Sequence, residues 1–147
     1  MKSIVIIRNI LSYFIATIFI YALLQKIKDI DIWTDKINSF DIVSKFDLYW
    51  LSYIIIAMEI IAILLLIFDF VEKIAAYYSF SLVSLYTGYV YYKIYISQDG
   101  DCPCGGIFNQ LSMTEHLWVN LALMISSAVL ILLDYRLQIN KMRNSND

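Results

Sequence analysis

The chain has 147 residues, 61% of them hydrophobic and 16% aromatic, and only 16% are charged, against about a quarter in an ordinary soluble domain. A formal charge of −2 offers no basic field to nucleic acid, and a disordered chain would hold far fewer apolar groups. One Pro and four Gly exclude a collagen-like chain, and two cysteines with one histidine build neither a disulfide framework nor an unaided tetrahedral zinc site.

A small, all-α integral membrane protein of one domain (1–147) is the class that remains. A bilayer core takes about 20 mainly apolar residues per helix, and four stretches approach that length. The first runs from about Ile4 to Leu24, with Arg8 and Asn9 near its start. Arg8 interrupts the apolar run and no small-residue cleavage site follows, so it reads as a retained span rather than a signal peptide. Between Gln25 and Asp47, Ile30, Trp33, Ile37 and Phe40 recur at helical spacing among acidic residues. That pattern predicts a short interfacial helix with Trp33 at headgroup depth; a plain solvated loop is the alternative.

The second span covers about Leu48 to Val71 and carries Glu59 in its middle. An ionisable group there is costly, so it faces a partner inside the bundle, either as a hydrogen-bonded structural group or as a proton relay. The third, about Ile74 to Ile96, holds Tyr77, Tyr78, Tyr86, Tyr89, Tyr91, Tyr92 and Tyr95 on one broad arc, with Ser81, Ser84 and Gly88 as a small-residue stripe inside it. The arc is expected to face inward, where it either packs and anchors or lines a quinone pocket. Ser79, Val83, Val90 and Ile94, on the other side, are expected to face lipid.

Residues 97–111 hold both cysteines, the only proline and three of the four glycines, as Asp99-Gly100-Asp101-Cys102-Pro103-Cys104-Gly105-Gly106. Ser112-Met113-Thr114-Glu115 then fits a capping box, which starts the last helix ahead of its apolar span at about Leu117 to Leu133. His116 falls in the first turn, with Asn120 on the same face. Two thiols one residue apart can close a small strained ring, and strain makes a disulfide labile rather than structural. A helix N-terminus and His116 favour the thiolate, while Asp99 and Asp101 oppose it. Three readings stay open: a redox pair of Cys102 and Cys104 modulated by His116, an inert brace of the loop, or a soft metal site with His116 and an aspartate.

Basic residues in the flanks set orientation. With both termini cytoplasmic, the inner side carries six (Lys2, Arg8, Lys73, Arg136, Lys141, Arg143) and the outer side five (Lys26, Lys28, Lys36, Lys45, Lys93). The dense basic tail (134–147) tips this near-tie towards cytoplasmic termini and an extracytoplasmic cysteine loop, the oxidising side on which disulfide chemistry is permitted.

Taken together, residues 4 to 135 resemble the MauE/DoxX group of redox-associated membrane proteins. The matching stretches are Lys26-Ile27-Lys28-Asp29, Met58-Glu59-Ile60, Cys102-Pro103-Cys104-Gly105-Gly106, and Leu111-Ser112 leading through His116 to Asn120. The resemblance implies a four-helix protein of the bacterial inner membrane that takes part in thiol–disulfide balance. Its partner would be a periplasmic thioredoxin-like or disulfide-containing client. The methylamine branch is associated with disulfide formation in a periplasmic enzyme subunit, and the DoxX branch with a thiosulfate–quinone oxidoreductase. Gly105-Gly106 departs from the Phe and Gly that follow the second cysteine in the methylamine branch, so a methylamine client is not inferred. The rival function is a non-catalytic accessory subunit whose cysteine pair only braces the loop.

Overall fold

The computed structural model describes residues 2–38, 49–68, 72–92, 94–95 and 113–144. Five α-helices make up nearly all of these residues: α1 (Lys2–Lys28), α2 (Ile30–Asn38), α3 (Tyr49–Phe68), α4 (Glu72–Tyr92) and α5 (Met113–Asn144). No strand occurs among the described residues. Cys102, Cys104, the rest of the 97–111 loop and the Ser112 cap lie outside them, as does Phe40.

The four long helices pack in a ring, α1 on α3, α3 on α4, α4 on α5 and α5 back on α1, while α2 rests mainly on α3. The core is built from residues small enough for backbones to come close: Ala62, Ala75 and Ala76 are buried with Ser12, Ser79 and Ser127, among Ile15, Phe19, Leu66, Val83 and Leu130. Buried hydroxyls find carbonyls. Ser12 Oγ donates across to Leu66 O at 3.1 Å, and Ser127 Oγ donates back to Leu123 O at 2.9 Å. The outside is apolar in turn, with Ile10, Leu85, Ile125 and Leu132 all more than half exposed. A soluble bundle would invert that arrangement.

Three helices are long and apolar enough to cross a membrane: α1, α3 from Trp50, and α5 from Thr114 to Arg143. The stretch expected as the third span is the 21-residue α4, which is not among them; its tyrosines and hydroxyl residues dilute its hydropathy.

Helix α1 runs on past Leu24 to Lys28, and Lys26 near its end is buried. Helix α2 forms, and Trp33 is buried against Ile56. Residues 134–144 continue α5 as helix, and Asp134 at the start of that extension is buried. The facing of α4 needs correction. Ser79, Val83 and Val90, expected to face lipid, are buried, and the tyrosine arc is divided: Tyr86 and Tyr89 face the interior, Tyr77 and Tyr91 are exposed, and nothing lies within 4 Å of a Cβ placed on Gly88. Close helix contact selects the small face, and phenols near the helix ends suit the interface.

Candidate functional site

A polar cluster lies inside the ring, towards the end where α1 and α4 finish and α5 begins. The Lys26 ammonium donates to Glu59 Oε1 and, at 3.3 Å, to Tyr86 Oη. The Tyr86 hydroxyl donates to the same Glu59 oxygen at 2.6 Å. The Lys26 nitrogen also sits 4.8 Å from the Trp33 ring centroid and 4.7 Å from that of Tyr86. Desolvation strengthens such cation–ring contacts, and here the Lys26 side chain is 6% exposed and that of Glu59 0%.

Each partner has a local origin. Lys26 lies in the last turn of α1, where a cation suits the helix dipole. Helix α2 follows after one turn residue, with Trp33 N donating to Asp29 O at 2.9 Å, and this short connection folds Trp33 back over Lys26. Glu59 is midway along α3, and Tyr86 is in the second half of α4.

These groups border a cavity of about 80 Å³. Its remaining wall comes from Ile18 and Phe19 of α1, Val83 and Tyr89 of α4, and His116, Val119, Asn120 and Leu123 of α5. The structure thus brings two residues singled out in the sequence, Glu59 and His116, to one cavity. His116 is buried in the first turn of α5, and Asn120 follows one turn later on the same wall. Glu59 Oε2 and Trp33 Nε1 are buried and make no hydrogen bond to any described residue. Two further site members are not marked by the sequence. Lys26 stands as a basic residue just beyond an apolar run, and no spacing rule ties it to Glu59, 33 positions away. Trp33 reads as an interfacial anchor.

A second buried pair lies towards the other end. Arg8 Nε donates to Asp134 Oδ1 at 3.0 Å, with both side chains at most 4% exposed, and so joins the start of α1 to the far part of α5. Among the described residues no group of three or more His, Cys, Asp and Glu side chains is placed to hold a metal ion; the cysteines lie outside that search.

The family model described as methylamine utilisation protein MauE matches residues 3–133, almost the whole chain and all four long helices up to the Arg8–Asp134 level. The chain belongs to the MauE family. With its apolar helices, this MauE chain is a multi-pass membrane protein. No curated protein and no solved structure matches it. The Lys26–Glu59 pair joins two of the stretches that carry the resemblance, Lys26-Ile27-Lys28-Asp29 and Met58-Glu59-Ile60, and the matched range contains both cysteines.

Proposed function

We propose that this MauE-family chain is a thiol–disulfide redox protein of the bacterial inner membrane, with four spans, cytoplasmic termini and a periplasm-facing Cys102–Cys104 pair. The observation that carries the reading is the position of the buried polar site. Cys102 and Cys104 lie between α4 and α5, and the ends of those two helices supply Tyr86, Tyr89, His116 and Asn120 to the cavity. A buried Lys–Glu pair within a membrane bundle is costly and marks function more often than packing.

The proposed exchange conserves thiols. A thiolate of the client attacks one sulfur of the Cys102–Cys104 disulfide and forms a mixed disulfide, and the other cysteine leaves as a thiolate. The client's second thiolate attacks its own sulfur in the mixed bond, which leaves a client disulfide and a reduced Cys102 and Cys104. The same steps in reverse reduce the client. His116, at the base of the loop, would modulate the thiolate, and Glu59 would serve as a proton relay beneath it. A quinone within the bundle is a candidate electron acceptor.

Contacts along α4 support the fourth span. Its start borders Asp134 on α5, through Ala76 and Tyr77, and its Tyr86 and Tyr89 border His116. The 21 residues of α4 rise about 31 Å, close to the thickness of a hydrocarbon core. Alternation of α1, α3, α4 and α5 across that thickness puts both termini on one side.

The test is Cys102→Ser/Cys104→Ser, with complementation and membrane abundance measured together. Loss of function at normal abundance is expected. Full function at normal abundance would establish the accessory role instead. Zinc or copper that copurifies and is lost in the double variant would point to a metal site.

A further inference from the structure

The outer face of α5 keeps its register past the end of the apolar span. On a helical wheel the buried Leu123, Ser127, Leu130 and Asp134 share one side of the helix. Leu132, Tyr135, Ile139 and Met142, each at least 40% exposed, lie on the other side, within an arc of about 120°. Arg136 and Arg143, both exposed, fall inside the same arc. The 30 residues from Thr114 to Arg143 rise about 44 Å, which matches a hydrocarbon core together with both headgroup layers. The last turns of α5 therefore reach a headgroup layer. An arginine there presents a planar fork of donors that suits a phosphate. Neither guanidinium has a carboxylate partner among the described residues.

Exposed charge is also sorted between the two ends of the bundle. Arg8 pairs with Asp134, so the start of α1 and the far part of α5 share one end, and that end exposes Lys2, Arg136, Lys141 and Arg143. The exposed carboxylates among the described side chains, Asp29, Asp31, Asp35 and Glu115, lie at the opposite end, near Lys26 and His116. A lipid-facing stripe that runs into arginines at the cationic end complements a lipid with a negative headgroup. A zwitterionic lipid matches the stripe but not the charge.

We propose that the outer face of α5 from Leu132 to Arg143 binds an anionic phospholipid, with Arg136 and Arg143 on its phosphate and Leu132, Tyr135 and Ile139 along its apolar part. The inference needs only that α5 crosses the membrane; it uses neither the thiols nor the number of spans.

The test titrates the purified full chain in detergent with dimyristoylphosphatidylglycerol, and separately with dimyristoylphosphatidylcholine, and counts bound lipids by native mass spectrometry. The first phosphatidylglycerol should bind about tenfold or more tightly than the first phosphatidylcholine, since each basic group near an anionic surface contributes about fivefold. Arg136→Gln/Arg143→Gln should lose most of that preference. Lys2→Gln/Lys141→Gln removes the same charge from the same end, but Lys2 is on α1 and Lys141 falls on the Asp134 side of α5, so most of the preference should remain. All four side chains are exposed, and matching midpoints in thermal unfolding verify that both variants fold. Equal affinity for the two lipids, or equal loss in the two double variants, would overturn the proposal. So would a dimer that dissociates in Arg136→Gln/Arg143→Gln, because it would assign the face to a second copy of the chain.

Discussion

Lys26 and Glu59 are buried charges that depend on one another. Two charges taken out of water cost several kcal/mol each, and attraction offsets this only where geometry and further hydrogen bonds are good. Tyr86 supplies such a bond, and the Trp33 and Tyr86 rings face the ammonium. Lys26→Met would leave the Glu59 charge without its cation, and the expected loss is about 3–5 kcal/mol, read as a lowered midpoint in thermal unfolding of detergent-purified protein. Lys26→Met/Glu59→Leu should regain most of that loss, because a well-packed apolar pair is often as stable as a buried ion pair. If the double variant is as unstable as the single one, the charges are not what hold α1 to α3. The sequence made half of this site legible. Glu59 stands out as a charge amid apolar residues, and His116 as the lone histidine. Lys26 and Arg8 read as flanking charges, since neither hydropathy nor spacing reveals that Glu59 and Asp134 wait 33 and 126 positions away.

Among the elements, α4 best separates what a sequence pattern can say from what packing decides. Its length and its helical character follow from an apolar run bounded by charged residues. Its facing does not, because tyrosine suits a buried polar site, an interface or a lipid boundary. The helix uses it in more than one way: Tyr78 donates to Met58 O at 3.2 Å and Tyr86 serves the ion pair, while Tyr77 and Tyr91 are exposed. Ala75, Ala76, Ser79 and Val83 are buried on the same helix, and their small volumes permit close approach of its neighbours. Val83 is 1% exposed and Leu85 61%, so tryptophan at each position gives a clear contrast. Val83→Trp should cost about 1–3 kcal/mol through overpacking, whereas Leu85→Trp should stay within about 0.5 kcal/mol, both measured by thermal unfolding. Equal tolerance at the two positions would mean that the tyrosine arc faces inward after all. The ends of α1 and α5 carry the same lesson. Both helices outrun their apolar stretches, and the first charged groups beyond them, Lys26 and Asp134, each have a buried partner that the apolar pattern alone does not record.

At the scale of the whole molecule, the number of crossings fixes on which side each terminus lies, and its parity can be measured. With α1, α3 and α5 alone crossing, the two termini would lie on opposite sides of the membrane. If α4 crosses as well, they share a side. Ser3 and Met142 are exposed near the two ends of the described chain, so Ser3→Cys and Met142→Cys, each in a Cys102→Ser/Cys104→Ser background, report on either side. Four spans with cytoplasmic termini predict that an impermeant thiol reagent labels neither in intact cells and both after permeabilisation. The unaltered chain, reduced beforehand, should be labelled in intact cells at Cys102 and Cys104. Labelling of one terminus but not the other would remove α4 from the spans. The cysteine loop would then lose its place on the periplasmic side. The positive-inside count cannot decide this, because its two sides differ by one basic residue. A crossing α4 places the polar cavity towards the face from which the cysteines spring, which is the arrangement that thiol exchange with a periplasmic client requires.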